Sequence, residues 1–204
     1  GTVLRGEVQS VEAVLLFADL QGFTALADTT PGRDLILLLD DYFGCMVKPI
    51  VGYGGEVLKF LGDGLLVIFS ARSGKERQVK YQSLIAANAA GKALQRLSRQ
   101  RVEEGKIPLE HGIGLHYGLI QYGNIGSNER LDFTAIGSAV NIASRIAALC
   151  AELSSPVLIS GDLARFLRIR LESRGSQELK GIPMPVEVFS LPVKALSRDA
   201  STAG

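Results

Sequence analysis

Glu56-Val-Leu-Lys-Phe-Leu-Gly-Asp-Gly-Leu-Leu-Val-Ile-Phe69 contains two apolar runs on either side of a Gly-Asp-Gly sequence at residues 62 to 64. Asp63-Gly64 in this setting predicts a β-hairpin with a type I′ turn, because both central residues of that turn need a positive φ. Taken alone, the pattern indicates no more than a tight turn. Any chemical role for Asp63 therefore depends on what the fold brings beside it.

A second apolar run, residues 11–19, ends at Asp19 and leads into a glycine turn and a helical pattern. A run this apolar predicts a strand buried on both faces, with Asp19 at the rim of the sheet. Two carboxylates at the ends of central strands are suitable ligands for a hard cation such as Mg²⁺. The backbone N–H groups of Gly22, Phe23 and Thr24, at a helix start, can hold phosphate. A helix cap is the structural alternative for Asp19.

The remaining pattern predicts an α/β (α+β sandwich) fold. A mixed, mainly antiparallel sheet carries helices on one face, and the order strand, helix, hairpin, helix, strand is ferredoxin-like. The predicted N-cap of the fourth helix is Ser138. The inner face of the third helix is predicted to hold Val79, Ile85, Ala86, Ala89, Ala93 and Leu97. Helices are predicted at 22–29, 32–51, 76–101 and 138–150, and strands at 11–18, 109–120, 131–136, 156–160, 169–171 and 186–191.

Length and composition limit the class of protein. The chain has 204 residues, 47% hydrophobic content and a net charge of +1, which predicts one globular domain and no nucleic-acid partner. No apolar run reaches the ~20 residues of a membrane helix, and we expect Cys45 and Cys150 to be reduced and packed. We expect a peripheral segment at 1–10, the domain at 11–192, a disordered tail at 193–204, and regulatory domains outside this chain.

Four segments, in order, resemble the signatures of class III nucleotide cyclases over about residues 5 to 192. The resemblance implies the same ferredoxin-like core with extra C-terminal elements, in a cytoplasmic domain that makes a 3′,5′-cyclic nucleotide and pyrophosphate from a nucleoside triphosphate. The segments are Phe17-Ala-Asp-Leu-Gln-Gly-Phe-Thr24, Lys59-Phe-Leu-Gly-Asp63, Asp132-Phe-Thr-Ala-Ile-Gly-Ser-Ala-Val-Asn-Ile-Ala-Ser-Arg145, and Leu179-Lys-Gly181 with Pro185-Val-Glu-Val-Phe189.

The same resemblance implies roles for individual residues. Asp19, Asp63 and the Leu20 carbonyl match the ligands of two divalent ions, Mg²⁺ or Mn²⁺. On one face of the fourth helix, Asn141 matches the residue that orients the ribose, and Arg145 matches the one that stabilises charge on the α-phosphoryl group. Lys180 matches a contact to the β- and γ-phosphates. The structural alternatives are a capping asparagine, a surface arginine and a surface lysine.

The choice of base depends on Lys59 and Thr134. Lysine only donates hydrogen bonds and adenine N1 only accepts them, whereas guanine carries a hydrogen on N1. The threonine hydroxyl can accept a hydrogen bond from the adenine N6 amine. Both residues therefore predict ATP as substrate, and Thr134 resembles the subgroup that includes the bicarbonate-responsive soluble cyclases.

The resemblance implies a homodimer in which each site draws residues from both chains. Both sets of residues occur in this chain, so a homodimer would hold two complete sites. A guanylyl cyclase is the alternative enzyme. A degenerate cyclase domain that serves as a nucleotide sensor is the alternative without catalysis, and its mark would be the loss of Asp19, Asp63 or Arg145, none of which is lost.

Overall fold

The computed structural model describes residues 8–70, 75–126 and 131–192. In these ranges the chain order is β1 (Val8–Leu20), α1 (Phe23–Thr29), α2 (Gly32–Gly52), β2 (Glu56–Leu61), β3 (Gly64–Ser70), α3 (Glu76–Glu103), β4 (His111–Gly126), β5 (Leu131–Ile136), α4 (Ser138–Ala148), β6 (Val157–Ser160), α5 (Gly161–Ala164), β7 (Glu172–Gln177) and β8 (Val186–Ser190). The elements from β1 to β4 confirm the ferredoxin-like order of strand, helix, hairpin, helix and strand. No helix in the described ranges has both the length and the apolar character to cross a bilayer.

A single sheet runs in the order β2-β3-β1-β4-β6-β8-β7, and β5 pairs with β4 outside this path. Among the strands of the described ranges, only β4 and β6 pair in parallel, which confirms the mixed, mainly antiparallel sheet. Near its centre, β1 pairs with β3 and β4, and Leu15 and Leu16 are both 0% exposed. Burial on two faces explains why this strand reads as a continuous apolar run.

Helices cover both faces of the sheet, so the prediction of helices on one face was wrong. Leu16 and Ala18 of β1 pack in the cluster that holds the inner residues of α2 and α3. Ala13 and Leu15 of the same strand pack in a second cluster with Ala139 of α4. Since successive strand residues point to opposite faces, α4 lies across the sheet from α2 and α3.

Three glycines of β4 allow α4 to approach the strand closely. A Cβ atom on Gly112 would lie 2.5 Å from the carbonyl oxygen of Ala147, and one on Gly114 would lie 2.2 Å from that of Ala143. A Cβ atom on Gly118 would lie 3.0 Å from the Cβ of Ala139. The helix therefore rests on the backbone of β4, and its position relative to the sheet is fixed there.

Several element boundaries differ from the predictions. β1 begins at Val8, where it pairs with Gly123, so it is longer than predicted. The strand predicted at 169–171 was wrong, because β7 spans Glu172–Gln177. Gly137 rather than Ser138 is the N-cap of α4, and no side chain caps this helix. The predicted tail at 193–204 lies outside the described residues, and both cysteines are free thiols.

The inner face of α3 also differs from the prediction. Ile85 is 47% exposed, whereas Lys80 is only 5% exposed. The Lys80 ammonium lies 3.9 Å from the ring centre of Tyr117 and 4.4 Å from that of Phe166. Cation–π contacts of this kind stabilise a desolvated lysine. The core-facing stripe is therefore rotated from the predicted one, and it includes Gly91 beside His111.

We predict that Gly114→Ala lowers the free energy of unfolding by about 2–3 kcal/mol, because the added methyl group meets backbone atoms that cannot rotate away. Gly44→Ala in α2 is the matched control, since a Cβ atom there meets nothing within 4 Å. The control should be neutral or stabilising by ~0.5–1 kcal/mol. Chemical denaturation measures both, and equal effects would contradict the close contact of α4 with β4.

Candidate active site

The β2–β3 hairpin places Asp63 at its tip. Leu61 pairs with Gly64, so the two-residue turn consists of Gly62 and Asp63. Gly62 has a φ of +67°, while neither Asp63 nor Gly64 has a positive φ. The predicted type I′ turn at Asp63-Gly64 was therefore wrong, because a positive φ at the first central residue alone is typical of a type II′ turn. Gly62 supplies the positive φ that the turn needs, so the backbone of Asp63 is unstrained.

Pairing between β1 and β3 brings the two aspartates together. Ala18 pairs with Leu65, one residue before Asp19 and two residues after Asp63. Burial raises the pKa of Asp19 from 3.8 to about 6, with the negative charge of Asp63 as the second cause; a hydrogen bond from its own backbone opposes both. Asp19 lies within β1, and Gly22 is the N-cap of α1, so the alternative of a helix cap was wrong.

A buried hydroxyl in α2 is influenced by the charges of these carboxylates, and sequence reasoning did not single it out. Tyr42 of α2 is 0% exposed, and its hydroxyl has no hydrogen-bond partner in the described part of the chain. Burial raises the pKa of Tyr42, and the charges of Asp19 and Asp63 add to this effect. Its spacing along α2 is that of an ordinary core side chain, and no sequence signal marks the hydroxyl.

The donors at this point of the sheet fit a hard cation. Two carboxylates repel each other without a counter-charge, and carboxylate and carbonyl oxygens are the ligands that Mg²⁺ prefers. Within the described ranges, no cluster of three or more histidine, cysteine or acidic side chains offers a metal site. Asp19, Asp63 and the Leu20 carbonyl would thus form a partial ligand set that a phosphate-bearing substrate would complete.

The turn after Leu20 is held by two hydrogen bonds. The backbone N–H of Gln21 donates to the Glu110 carbonyl at 2.9 Å, and its side-chain amide donates to the His111 carbonyl at 3.2 Å. Gly22 follows with a φ of +71°, and no side chain caps α1. The first N–H groups of a helix lack intrahelical partners, so those near Gly22 are available to a ligand.

Lys59 is placed by a β-bulge that the sequence did not predict. The register with β3 shifts just before Lys59, so Leu58 is an extra residue. Lys59 pairs with Leu66, and paired residues place their side chains on one face, here the α4 face. Phe60 returns to the other face, where its ring centre lies 4.6 Å from that of Phe43. The bulge thus keeps Lys59 on the face that carries α4.

Thr134 lies in β5, opposite Gly123 of β4. Strands β2 and β5 contact one another, so β5 lies beside the strand that carries Lys59. The side chain of Thr134 lies outside the described part of the chain, so its predicted role toward the base stays a prediction.

The remaining predicted residues lie on and beside α4. Asn141 and Arg145 are both exposed on this helix, and Lys180 is exposed in a turn whose neighbour Leu179 packs with Ile146 of α4. Lys59, Arg145 and Lys180 form no hydrogen bond or ion pair with another described residue.

The cationic side chains and the two aspartates form separate groups within one protomer. The causes that shift the pKa of Asp19 are its burial, Asp63 and its own backbone, and no lysine or arginine contributes. The structure therefore brings Asp19, Leu20, Asp63 and the 22–24 turn together. It does not bring the cations to these carboxylates within the chain.

Comparison with known proteins adds a family to this geometry. The sequence profile described as the adenylate and guanylate cyclase catalytic domain matches residues 7–192. An adenylate cyclase of Anabaena cylindrica is 30% identical over 162 residues, which are 79% of this chain and 32% of that protein. Adenylate cyclase 2 of Rhizobium meliloti is 30% identical over 203 residues, 94% of this chain and 53% of that protein. This chain thus spans about a third and about half of these two relatives.

Two solved structures are similar along most of the chain. The adenylyl cyclase CyaB from P. aeruginosa has a TM-score of 0.82 and 30% identity, with 91% of this chain and 96% of that chain covered. The guanylyl cyclase Cya2 has a TM-score of 0.78 and 27% identity, with 92% and 93% covered. One of these proteins is an adenylyl cyclase and the other is a guanylyl cyclase, so fold similarity does not decide the base.

The raised pKa of Asp19 predicts how stability depends on pH. A carboxyl group that binds its proton more tightly in the folded state contributes stability below pH 3.8, and that contribution is lost as the pH rises through about 6. We expect Asp19→Asn to raise the free energy of unfolding of the metal-free protein at pH 7.5 by about 1 kcal/mol, a value reduced for solvent access.

This gain should shrink below pH 6 and end near pH 4, as measured by urea unfolding with a chelator present. Asp28→Asn is the control, because Asp28 is an exposed carboxylate on α1. A gain that is the same at pH 7.5 and pH 4, or the same in the control, would contradict the raised pKa of Asp19.

Proposed function

The chain belongs to the adenylate and guanylate cyclase catalytic domain family, and on that premise we propose that it converts ATP into 3′,5′-cyclic AMP and pyrophosphate. The observation that carries the proposal is the pair of neighbouring carboxylates, Asp19 and Asp63, at the rim of the central strands. Residues 11–192 are proposed as the catalytic domain.

Asp19, Asp63 and the Leu20 carbonyl would hold two divalent ions, Mg²⁺ or Mn²⁺. When bound, such ions lower the pKa of the attacking 3′-hydroxyl and neutralise charge on the triphosphate. The substrate supplies the missing oxygen ligands in this reading, which accounts for a protein ligand set with only two carboxylates.

The other residues bind and orient ATP. The backbone N–H groups of Gly22, Phe23 and Thr24 hold phosphate oxygens, and Lys180 contacts the β- and γ-phosphates. Asn141 orients the ribose. Arg145 donates to the α-phosphoryl oxygens as the 3′-oxygen attacks in line, and one preorganised donor of this kind contributes about 3–4 kcal/mol to lowering the barrier.

Adenine recognition is assigned to Lys59 and Thr134. Lys59 donates to N1, and the Thr134 hydroxyl accepts from the N6 amine. The bulge at Leu58 supports this assignment for Lys59, because it places the ammonium on the α4 face without any competing acidic partner among the described residues. A guanine would present a hydrogen on N1 to the same ammonium.

The site is proposed to be shared between two copies of the chain. Metal ligands come from one protomer, and Lys59, Thr134, Asn141, Arg145 and Lys180 come from the other. The separation of unpaired cations from the aspartates within one protomer supports this arrangement. A two-fold axis would then complete two equivalent sites.

The direct test is incubation of the purified chain with ATP or GTP and Mg²⁺ or Mn²⁺, followed by quantification of both cyclic nucleotides. We expect cyclic AMP to dominate, and we expect Asp63→Ala or a chelator to abolish its formation. Preferential cyclic GMP would favour the guanylyl cyclase reading, for which the similarity to Cya2 is the supporting observation. Nucleotide binding without either product would favour a sensor.

We predict complementation between two inactive variants. Asp63→Ala and Arg145→Ala each remove one half of the shared site, so each homodimer should be nearly inactive. In a mixed dimer both lesions fall in one site and the other site is intact. Random pairing at equal amounts makes half the dimers mixed, so activity should return to about one quarter of wild type.

Size-exclusion chromatography must show that both variants dimerise, and subunit exchange must be followed with a labelled copy. If exchange is complete and no activity returns, the two residues do not serve one site from opposite chains.

A further inference from the structure

A cavity of about 780 Å³ opens at the end of the sheet where β1 leaves for α1, apart from the residues assigned above. Its walls come from the last turns of α3, the start of β4, the segment after α4, and Gln21. Small-molecule sites in proteins have volumes of about 300–1,000 Å³ and mix apolar walls with a few polar groups. The volume therefore suits a small organic ligand.

The deep part of the cavity is largely apolar. Leu94, Leu109 and Cys150 line it and are nearly fully buried, and Pro156 and Ala151 extend the wall. Such a surface favours a ligand with a ring or a short aliphatic body, because that body would leave water on binding.

The ring of His111 forms part of this wall. Its side chain is 5% exposed, and its Nε2 atom has no hydrogen-bond partner among the described residues. Burial lowers the pKa of His111 to about 4, so the ring is neutral at pH 7. The Nε2 atom itself is shielded from solvent beside Gly91 of α3, so the ring serves as part of the cavity wall and not as a hydrogen-bond partner of the ligand.

The charges at the rim favour a cation. Glu103, Glu110 and Arg99 line the cavity, are exposed, and form no ion pair with another described residue. With a neutral His111 the lining carries a net charge of −1, from two glutamates and one arginine. A polyphosphate would be repelled, whereas an ammonium group would be attracted.

Gln21 connects this cavity to the proposed metal and triphosphate site. It lines the cavity, follows Asp19 and Leu20 directly, and precedes the turn that begins at Gly22. Its side chain donates to the carbonyl of His111. A ligand that displaces His111 or Gln21 would therefore shift the neighbouring segment, which carries a proposed metal ligand and the N–H groups proposed to bind phosphate.

We propose that this cavity is a regulatory site for a small organic cation, with an apolar body against Leu94 and Leu109 and an ammonium group at Glu103 and Glu110, and that its occupancy is transmitted to the triphosphate site through Gln21. Binding itself does not depend on the proposed cyclase activity. The transmission rests on that proposed function.

Ligand binding can be followed directly from the magnetic resonance signals of the histidine rings. There are two histidines, His111 on the cavity wall and His116 outside it, and their ring resonances can be resolved by selective labelling. We expect benzylamine to shift the His111 signals saturably and to leave those of His116 unchanged. Benzyl alcohol should bind more weakly, and benzoate more weakly still. Equal shifts of both histidines, no shift of His111, or equal binding of benzoate and benzylamine would overturn the proposal.

Matched variants locate the site. Glu110→Gln should weaken benzylamine binding about two- to fivefold, as expected for an ion pair that keeps solvent access, whereas Glu152→Gln removes the same charge from an exposed position outside the lining. Ala151→Phe should fill the cavity and abolish the His111 shift, and Ala148→Phe, outside the lining, should not. Equal effects of variant and control would place the amine elsewhere.

The transmission is tested by reciprocity, since a ligand that alters nucleotide affinity must have its own affinity altered by the same factor. The dissociation constant of benzylamine is measured from the His111 shift with and without α,β-methylene-ATP and Mg²⁺. We expect a change of at least twofold, which Gln21→Ala should remove.

If α,β-methylene-ATP binds and the dissociation constant of benzylamine does not change, the regulatory role is overturned. An analogue that fails to bind, while benzylamine still shifts His111, contradicts the proposed cyclase function and leaves the cation site in place. The two failures are therefore distinguishable.

Discussion

The repulsion between Asp19 and Asp63 is the interaction on which the rest of the site depends. Pairing of β1 with β3 brings the carboxylates together, and the partial burial of Asp19 raises its pKa further. The apolar burial of β1, with Leu15 and Leu16 fully covered, offsets this cost and keeps the pair in place. The folded chain thus holds negative charge that a cation would stabilise, and loosening the sheet would relieve the repulsion only by exposing the core.

The sequence was sufficient for the elements that depend on periodicity and turn residues. The apolar run before Asp19, the hairpin around residue 63 and the helix with Asn141 and Arg145 all lie where the pattern predicts them. The turn type was missed, because Gly62 and Gly64 are equally good candidates for positive φ until the strand register is known. Register, in turn, depends on packing partners that a local window does not contain.

Other features depend on tertiary contacts and could not be predicted. The buried face of α3 was predicted wrongly, because a lysine such as Lys80 is expected at the surface. In the structure, two aromatic rings cover its ammonium group. The glycines of β4 determine the face on which α4 packs. Glycine does not contribute to a hydrophobic pattern, so the sequence did not indicate this face. The bulge at Leu58 places Lys59 on that same face. Tyr42 has the spacing of an ordinary core residue, although the charges of both aspartates help to raise the pKa of its hydroxyl.

The glycine contacts of β4 also set the mechanical character of the site. Where a helix rests on a strand backbone, no flexible side chains remain between them to absorb displacement, so α4 and the sheet form one stiff body. By contrast, no residue of α1 is fully buried, and Gly22 precedes it with a left-handed backbone. Arg145 therefore lies on the rigid part of the fold, whereas α1, which follows the strand that carries Asp19 and Leu20, is a less tightly packed part. We expect any movement that accompanies ligand binding to occur in α1 rather than in α4.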